Sequence, residues 1–230
     1  MDRSQKGLDY LLEKYAVREA AQLDGQTVKI GGKAYPLLPW ESERRFFELR
    51  GIVGSGRIGK VCTCRIGHTA AKGTDLFALL AREAGILEYM VDSPVKEVFC
   101  IGGENVLNCI MQTENGCVCT AELAATLQEG EAVDKHEIIA RNGVACDRAV
   151  DTQMPQNSIY VLGKNSGQYT DTDFELFGCS QGEAARVRSA FSLAKNEKLR
   201  AESLKKSLHL ENVVKAARLS LEKVENCKVD

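Results

Sequence analysis

Charge of one sign is scarce in this sequence. Thirty basic residues stand against 32 acidic ones, the net charge is -2, and no block of like charge exceeds a few residues. Nothing therefore draws the chain electrostatically to nucleic acid or to anionic lipid, and nucleic-acid binding is disfavoured. Long apolar runs are missing too, since no window approaches the roughly 18 residues a membrane helix needs. The opening Met1-Asp2-Arg3-Ser4-Gln5-Lys6 is polar and charged where a signal peptide would be apolar. The expectation is a soluble, cytoplasmic chain without a membrane partner.

What is present suffices for a folded domain. With 230 residues, 44% of them hydrophobic, the chain can bury one good core. Leu8, Leu11, Leu12, Tyr15 and Ala16 recur at three- and four-residue spacing, which predicts a helix from about Gln5 to Ala21, stopped by Asp24-Gly25. Residues 1–24 are read as an N-terminal amphipathic helix or extension, and 25–230 as a single α+β domain. Thr27 to Ile30 reads as a short strand, and Pro36 and Pro39 punctuate an irregular stretch before a helix from Glu41.

From Lys60 the period changes to two. Cys62, Cys64 and Ile66 share one face of a predicted strand, and Thr63 and Arg65 the other. Leu76, Leu79, Leu80, Ile86, Leu87 and Met90 return to helical spacing over 74–91, and Asp92-Ser93-Pro94 precedes a strand from Val95 to Ile101. Val106 to Gln112 and Cys117 to Leu123 form a predicted hairpin, because Asn115-Gly116 between them favours the left-handed dihedrals of a tight turn. His136 to Ala140 and Ala145 to Val150 suggest a second pair turning at Asn142-Gly143, and Ser158 to Leu162 one more strand. Helices over Gln181 to Lys195 and Leu208 to Val224 close the chain. Helices flanking mostly antiparallel strands give an α+β class.

Four segments in this order resemble one family. Leu49 to Val61 is similar to a helix that ends in a "SGxIG" turn and feeds the first strand of a sheet. Ile86 to Val95 looks like the end of a long active-site helix with an "xPV" exit. Asn105 to Glu122, with its Glu114-Asn115-Gly116 turn, and the helices of 181–224 match the elements that follow. Together they resemble the C-terminal, sheet-bearing half of glucose-fructose oxidoreductase / inositol dehydrogenase (Gfo/Idh/MocA) enzymes, over about residues 45–225, without the Rossmann half that binds NAD(P). The resemblance implies a large, open, mainly antiparallel sheet with helices on one face, as in dihydrodipicolinate-reductase-like folds, and association of copies through the sheet.

Gly54-Ser55-Gly56-Arg57-Ile58-Gly59 matches G-x-G-x-x-G, but a dinucleotide site needs a strand before the glycines and a helix after them. Here the expected order is reversed, which predicts a helix C-cap and turn and no cofactor-binding residues. NAD(P) then enters only if a partner chain supplies the nucleotide-binding domain. The resemblance also implies an acid and a histidine on the long helix, and aligning back from Pro94 places Ala78, Arg82 and Gly85 at the family's three positions. An alanine orients nothing, and an arginine stays protonated and cannot serve as a base. A different register would put Lys72 or Asp75 in the pocket. His68 is either a solvated loop histidine or a ligand contact, while His136 and His209 suggest nothing.

The nine cysteines are expected as reduced thiols, there being no secretion signal. Cys62-x-Cys64 and Cys117-x-Cys119 could be zinc ligands, yet each pair lies at i, i+2 on a predicted strand, where core packing is the stronger reading and metal is not assigned. The leading functional expectation is a non-catalytic accessory or ligand-binding subunit that self-associates through its sheet or docks on a full-length relative. The alternative is the substrate-binding half of a split NAD(P)-dependent oxidoreductase acting on a sugar or polyol, with a Rossmann partner chain.

Overall fold

The computed structural model describes residues 2–130, 132–147, 158–163, 167–170 and 178–230; of the strands 158–163 and 167–170 it describes the backbone. Two compact units emerge, Met1–Arg44 with Asp171–Leu208, and Arg45–Thr170 with His209–Asp230. The sequence placed a boundary at residue 24; by compactness the N-terminal helix forms one unit with the residues to Arg44.

In the first unit, helix α1 (Arg3–Lys14) is capped by Asp2, whose side chain accepts from the Ser4 amide at 3.3 Å. Its stripe of Leu8, Leu11 and Leu12 packs into a core with Val187, Ala190 and Leu193 of α4 (Gln181–Lys195). Helix α1 stops well before Ala21. Ala16 turns left-handed at φ 51°, and the chain continues into strand β1 (Ala21–Asp24), which pairs antiparallel with β2 (Thr27–Ile30). The Gln5 side chain fastens this edge by accepting from Leu23 N at 2.8 Å and donating to Ala21 O at 3.1 Å. Strand β3 (Lys33–Pro36) completes a three-stranded sheet in the order β1-β2-β3. Pro36 is tolerated because β3 lies at the sheet edge, at the strand's last position, where a missing amide costs little. A short 3-10 turn (Pro39–Ser42) follows.

The second unit carries helix α2 (Arg44–Gly54), strand β4 (Val61–Ala71), helix α3 (Leu76–Val91), and strands β5 (Val95–Gly102), β6 (Val106–Thr113), β7 (Val118–Leu127), β8 (Val133–Ala140), β9 (Gly143–Cys146), β10 (Ser158–Gly163) and β11 (Gly167–Thr170). Helix α5 (Glu197–Lys223) and strand β12 (Cys227–Lys228) end the chain. The strands form one nine-stranded sheet in the order β11-β10-β9-β8-β4-β7-β6-β5-β12. Among the described residues only β4 and β7 pair in parallel; the other neighbours in this order are antiparallel. The class is α+β with a large, mainly antiparallel sheet, as the sequence predicts. The expected strand from Ala145 to Val150 continues past residue 147 outside the described residues.

Alternation fixes which face is buried. On β4 to β7 the inward residues are Cys64, Ile66, His68 and Ala70, Val98 and Cys100, Leu107, Cys109 and Met111, and Cys119, Ala121 and Leu123. Helix α3 crosses β4, β6 and β7. Its residues Leu80, Ile86, Leu87 and Met90 are fully buried. Burying one such side chain contributes about 1.5–3 kcal/mol. On the opposite face Ile101, Val106, Ile110 and Val133 are exposed. The β6–β7 turn differs in detail from expectation: Gly116 alone is left-handed, at φ 87°, while Asn115 caps the turn by accepting from Cys117 N at 3.1 Å.

A buried charge network as candidate functional site

Helix α3 begins at Asp75, whose carboxylate accepts from the Phe77 amide at 2.9 Å. On its inward stripe, four residues after Leu79 and three after Leu80, stands Glu83 with no exposed surface. Strand β4 presents His68 on the inward side in the alternation Cys64, Ile66, His68, and β8 presents His136 in the alternation His136, Ile138. Because β8 lies beside β4, with Ile66 opposite His136 and His68 opposite Asp134, the two strands bring both imidazoles under Glu83.

His136 is the hub. Its Nε2 meets Glu83 Oε2 at 2.7 Å and its Nδ1 meets Asp147 Oδ2 at 2.6 Å, while its amide donates to Asp147 Oδ1 at 2.7 Å. Glu83 Oε1 accepts from His68 Nδ1 at 2.6 Å and, by a short contact, from Arg82. Asp134 receives a two-pronged bond from Arg45, at 2.7 and 2.8 Å, and a third from Arg82 at 2.9 Å; Arg45 also reaches Asp147 at 3.2 Å. Such forked, charge-assisted bonds fix geometry as well as charge. The ring of Phe46, fully buried on α2, closes one side, edge-on to His136 with centroids 4.8 Å apart and 4.3 Å from the Arg45 guanidinium carbon.

The electrostatics follow from this packing. Burial opposes a charge on His136, but Asp147 and Glu83 outweigh it and raise its pKa to about 9. Burial likewise opposes ionisation of Glu83, yet His136, His68 and Arg82 hold its carboxyl well below the usual range. Asp134 is held low in the same way against its burial, by Arg45 first and then His136 and Arg82. The carboxylates of Glu83, Asp134 and Asp147 thus face the Arg45 and Arg82 guanidiniums and a His136 ring that favours its protonated form. These bonds join α2, α3, β4 and β8 as an electrostatic clamp.

Two triplets, His68 with Glu83 and Asp134, and Asp134 with His136 and Asp147, have donor atoms within 4.8 Å of one another. A cation already serves each triplet, because the Arg45 and Arg82 guanidiniums and the imidazole protons occupy the carboxylate oxygens. The donor set fits arginine and does not call for a metal ion.

Of the residues singled out in the sequence, His68 and Arg82 are brought together, their nitrogens 3.4 Å apart beside Glu83. His68 is no loop residue, since β4 runs on to Ala71 and buries it to 6% exposure. Lys72 and Asp75 do not join them. Both are exposed, Lys72 giving its amide to Leu127 O at 2.8 Å and Asp75 capping α3. Ala78 is exposed, and Gly85 is buried in α3. Glu83, His136, Asp134, Asp147 and Arg45 were missed. The available signal was phase: Glu83 falls inside an otherwise apolar helix stripe, and a charged residue there requires partners.

Gly54 is the last residue of α2, and Gly56 and Gly59 follow it left-handed at φ 69° and 77° before β4. A strand and not a helix comes next, the reverse of the order in which a dinucleotide fingerprint meets a helix N-terminus. Among the cysteines, Cys64, Cys117 and Cys119 are buried but Cys62 is exposed. A register shift between Val61 and Thr63 on the β8 side displaces it from the inward alternation.

No protein-family profile matches the sequence, and no curated protein sequence matches it. Solved structures do share its fold. An oxidoreductase domain protein from Kribbella flavida superposes with a TM-score of 0.64 at 12% identity, covering 84% of this chain and 64% of its own. An inositol dehydrogenase homolog from Azotobacter vinelandii, complexed with NADH and myo-inositol, gives 0.62 at 10%, covering 83% and 63%. A levoglucosan dehydrogenase, in complex with NADH and levoglucosan, gives 0.65 at 12%, covering 84% and 65%. The chain thus shares its fold with part of these proteins and spans slightly less than two-thirds of their length.

Proposed function

We propose that this chain is a non-catalytic, oxidoreductase-like subunit that associates through the open face of its nine-stranded sheet. The reading rests on Glu83, whose two oxygens are engaged by His68, His136 and Arg82. Aligned as the resemblance implies, Arg82 stands at the acid/base position of those enzymes, and it is bonded to Glu83 and Asp134. A guanidinium that stays protonated is a poor proton relay, which favours the non-catalytic reading. Exposed Ile101, Val106 and Ile110 on the uncovered face favour a second copy, or a full-length relative, as partner. NAD(P), where it takes part, is held by a nucleotide-binding domain outside these residues. Nine free thiols suit a reducing, cytoplasmic setting.

A second reading draws support from the neighbours solved with NADH and myo-inositol or levoglucosan. In it the chain is the substrate wall of a split oxidoreductase for a sugar or polyol, completed by a Rossmann partner. Titrating NADH and NADPH into the purified protein, with its solution mass measured on the same sample, tests the first reading. An oligomer that leaves cofactor fluorescence unchanged supports it, and the pair Ile101→Lys, Ile110→Lys then yields monomers. Saturable micromolar binding, or a monomeric wild type, overturns it, while turnover on adding a nucleotide-binding chain establishes the second.

A further inference from the structure

The sheet carries a second, separate chemical feature beneath its helices. Cys100 of β5 and Cys109 of β6 are direct register partners, both on the inward face and essentially without exposed surface. The Cys100 amide donates to Ser220 Oγ at 2.9 Å, away from β6. In a strand the N–H and C=O of one residue point the same way, so Cys100 and Cys109 form a non-hydrogen-bonded pair of the antiparallel ladder. That is the position where opposite Cα atoms come closest, about 4.5 Å, inside the range a disulfide spans. Their sulfurs are in contact at 2.7 Å. A second thiol pair, Cys64 and Cys117, is looser at 3.8 Å and joins residues that are not register partners.

We propose that Cys100 and Cys109 are a reversible redox site that closes to a cross-strand disulfide, with a small peroxide as oxidant. Cys100 sulfur attacks one peroxide oxygen, the O–O bond breaks, and water leaves with a sulfenic acid on Cys100. Cys109 sulfur then attacks that sulfur and expels hydroxide, which takes up the Cys109 proton and leaves as a second water. Two electrons pass from the two sulfurs to the peroxide, and a dithiol reductant reverses the step. The contact between the two sulfurs lets either one resolve a sulfenic acid formed on the other. Closure locks the β5–β6 hairpin, which lies next to the short β12 at one end of the sheet.

Peptide mapping reads the bond directly. Glu97, Glu104, Glu114 and Glu122 let a glutamate-specific protease place Cys100 in 98–104, Cys109 in 105–114, and Cys117 with Cys119 in 115–122. The folded full-length chain is exposed to hydrogen peroxide, denatured, alkylated and digested. The expected product links 98–104 to 105–114, is released by dithiothreitol, and leaves two fewer alkylatable thiols than the nine of the reduced chain. Cys119→Ser retains the link and Cys109→Ser loses it. Nine alkylatable thiols after oxidation, sulfinic or sulfonic acids without a link, or a link to 115–122 in its place would each overturn the proposal. The wild-type map decides even if a variant fails to fold.

Discussion

The charge on His136 ties stability to pH in a direction that its neighbours fix. A histidine unfolded titrates near 6.5, and in this network Asp147 and Glu83 raise that value to about 9 against the cost of burial. The folded state therefore binds the proton more tightly than the unfolded chain. Its contribution is fully present below about pH 6.5 and is lost as pH rises through about 9. The difference amounts to roughly 3 kcal/mol, most of which remains at pH 7 and almost none at pH 10. With a urea slope near 2 kcal/mol/M, the unfolding midpoint should fall by about 1 M between those pH values. Far-UV ellipticity in urea follows the backbone of both units. Trp40, the single tryptophan, lies in the unit that does not hold His136, so its fluorescence provides an internal comparison. His136→Gln removes the titrating group while keeping a side chain that hydrogen-bonds, and lysines and tyrosines titrate in both proteins. The reasoning fails if wild type loses no more stability across this range than His136→Gln does.

Two further outcomes follow from the packing. Glu83→Ala leaves His136 and Arg82 facing one carboxylate fewer in a dry site, which should cost about 3–5 kcal/mol, or roughly 6–20 °C in melting temperature, whereas Glu83→Gln, which keeps hydrogen bonds, should cost less. Equal losses for the two in thermal melts would show that shape and not charge matters there. Deleting residues 1–24 removes Leu8, Leu11 and Leu12 from the core they share with Val187, Ala190 and Leu193, so the truncated chain should aggregate. Unchanged solubility and solution mass would refute a structural role for α1.

Much of the fold can be read from local signals. The period-two runs of β6 and β7 with Asn115-Gly116 between them, and the helical spacing of α3 and α4, need no distant information. What escaped is what distance decides. Strand β1 forms because β2 and the Gln5 side chain receive it, although Tyr15 and Ala16 continue the helical spacing beyond Lys14. Strand β4 extends to His68 and beyond because β7 and β8 pair with it on both sides. The site was half legible for the same reason. His68 and Arg82 lie 14 residues apart and can be suspected from the sequence. Glu83 and His136 lie 53 apart, and Arg45 and Asp147 102 apart, so only the sheet order reveals them as partners.

In the non-catalytic subunit proposed above, Arg82 is held in place by Glu83 and Asp134. The family resemblance implies a proton-transferring histidine on the long helix at the position that aligns with Arg82. A guanidinium stays protonated, and here it joins a circuit in which Asp134 accepts three bonds and Glu83 three. Exchanging Arg82 for histidine would restore the residue type alone. Ala78 one turn earlier would still offer no acid to orient it, and the lost guanidinium would leave Asp134 and Glu83 short of a cation in a site that exposes little of either. Each part of the network thus holds the others in place, because any single exchange that removes one member strands a buried charge on another.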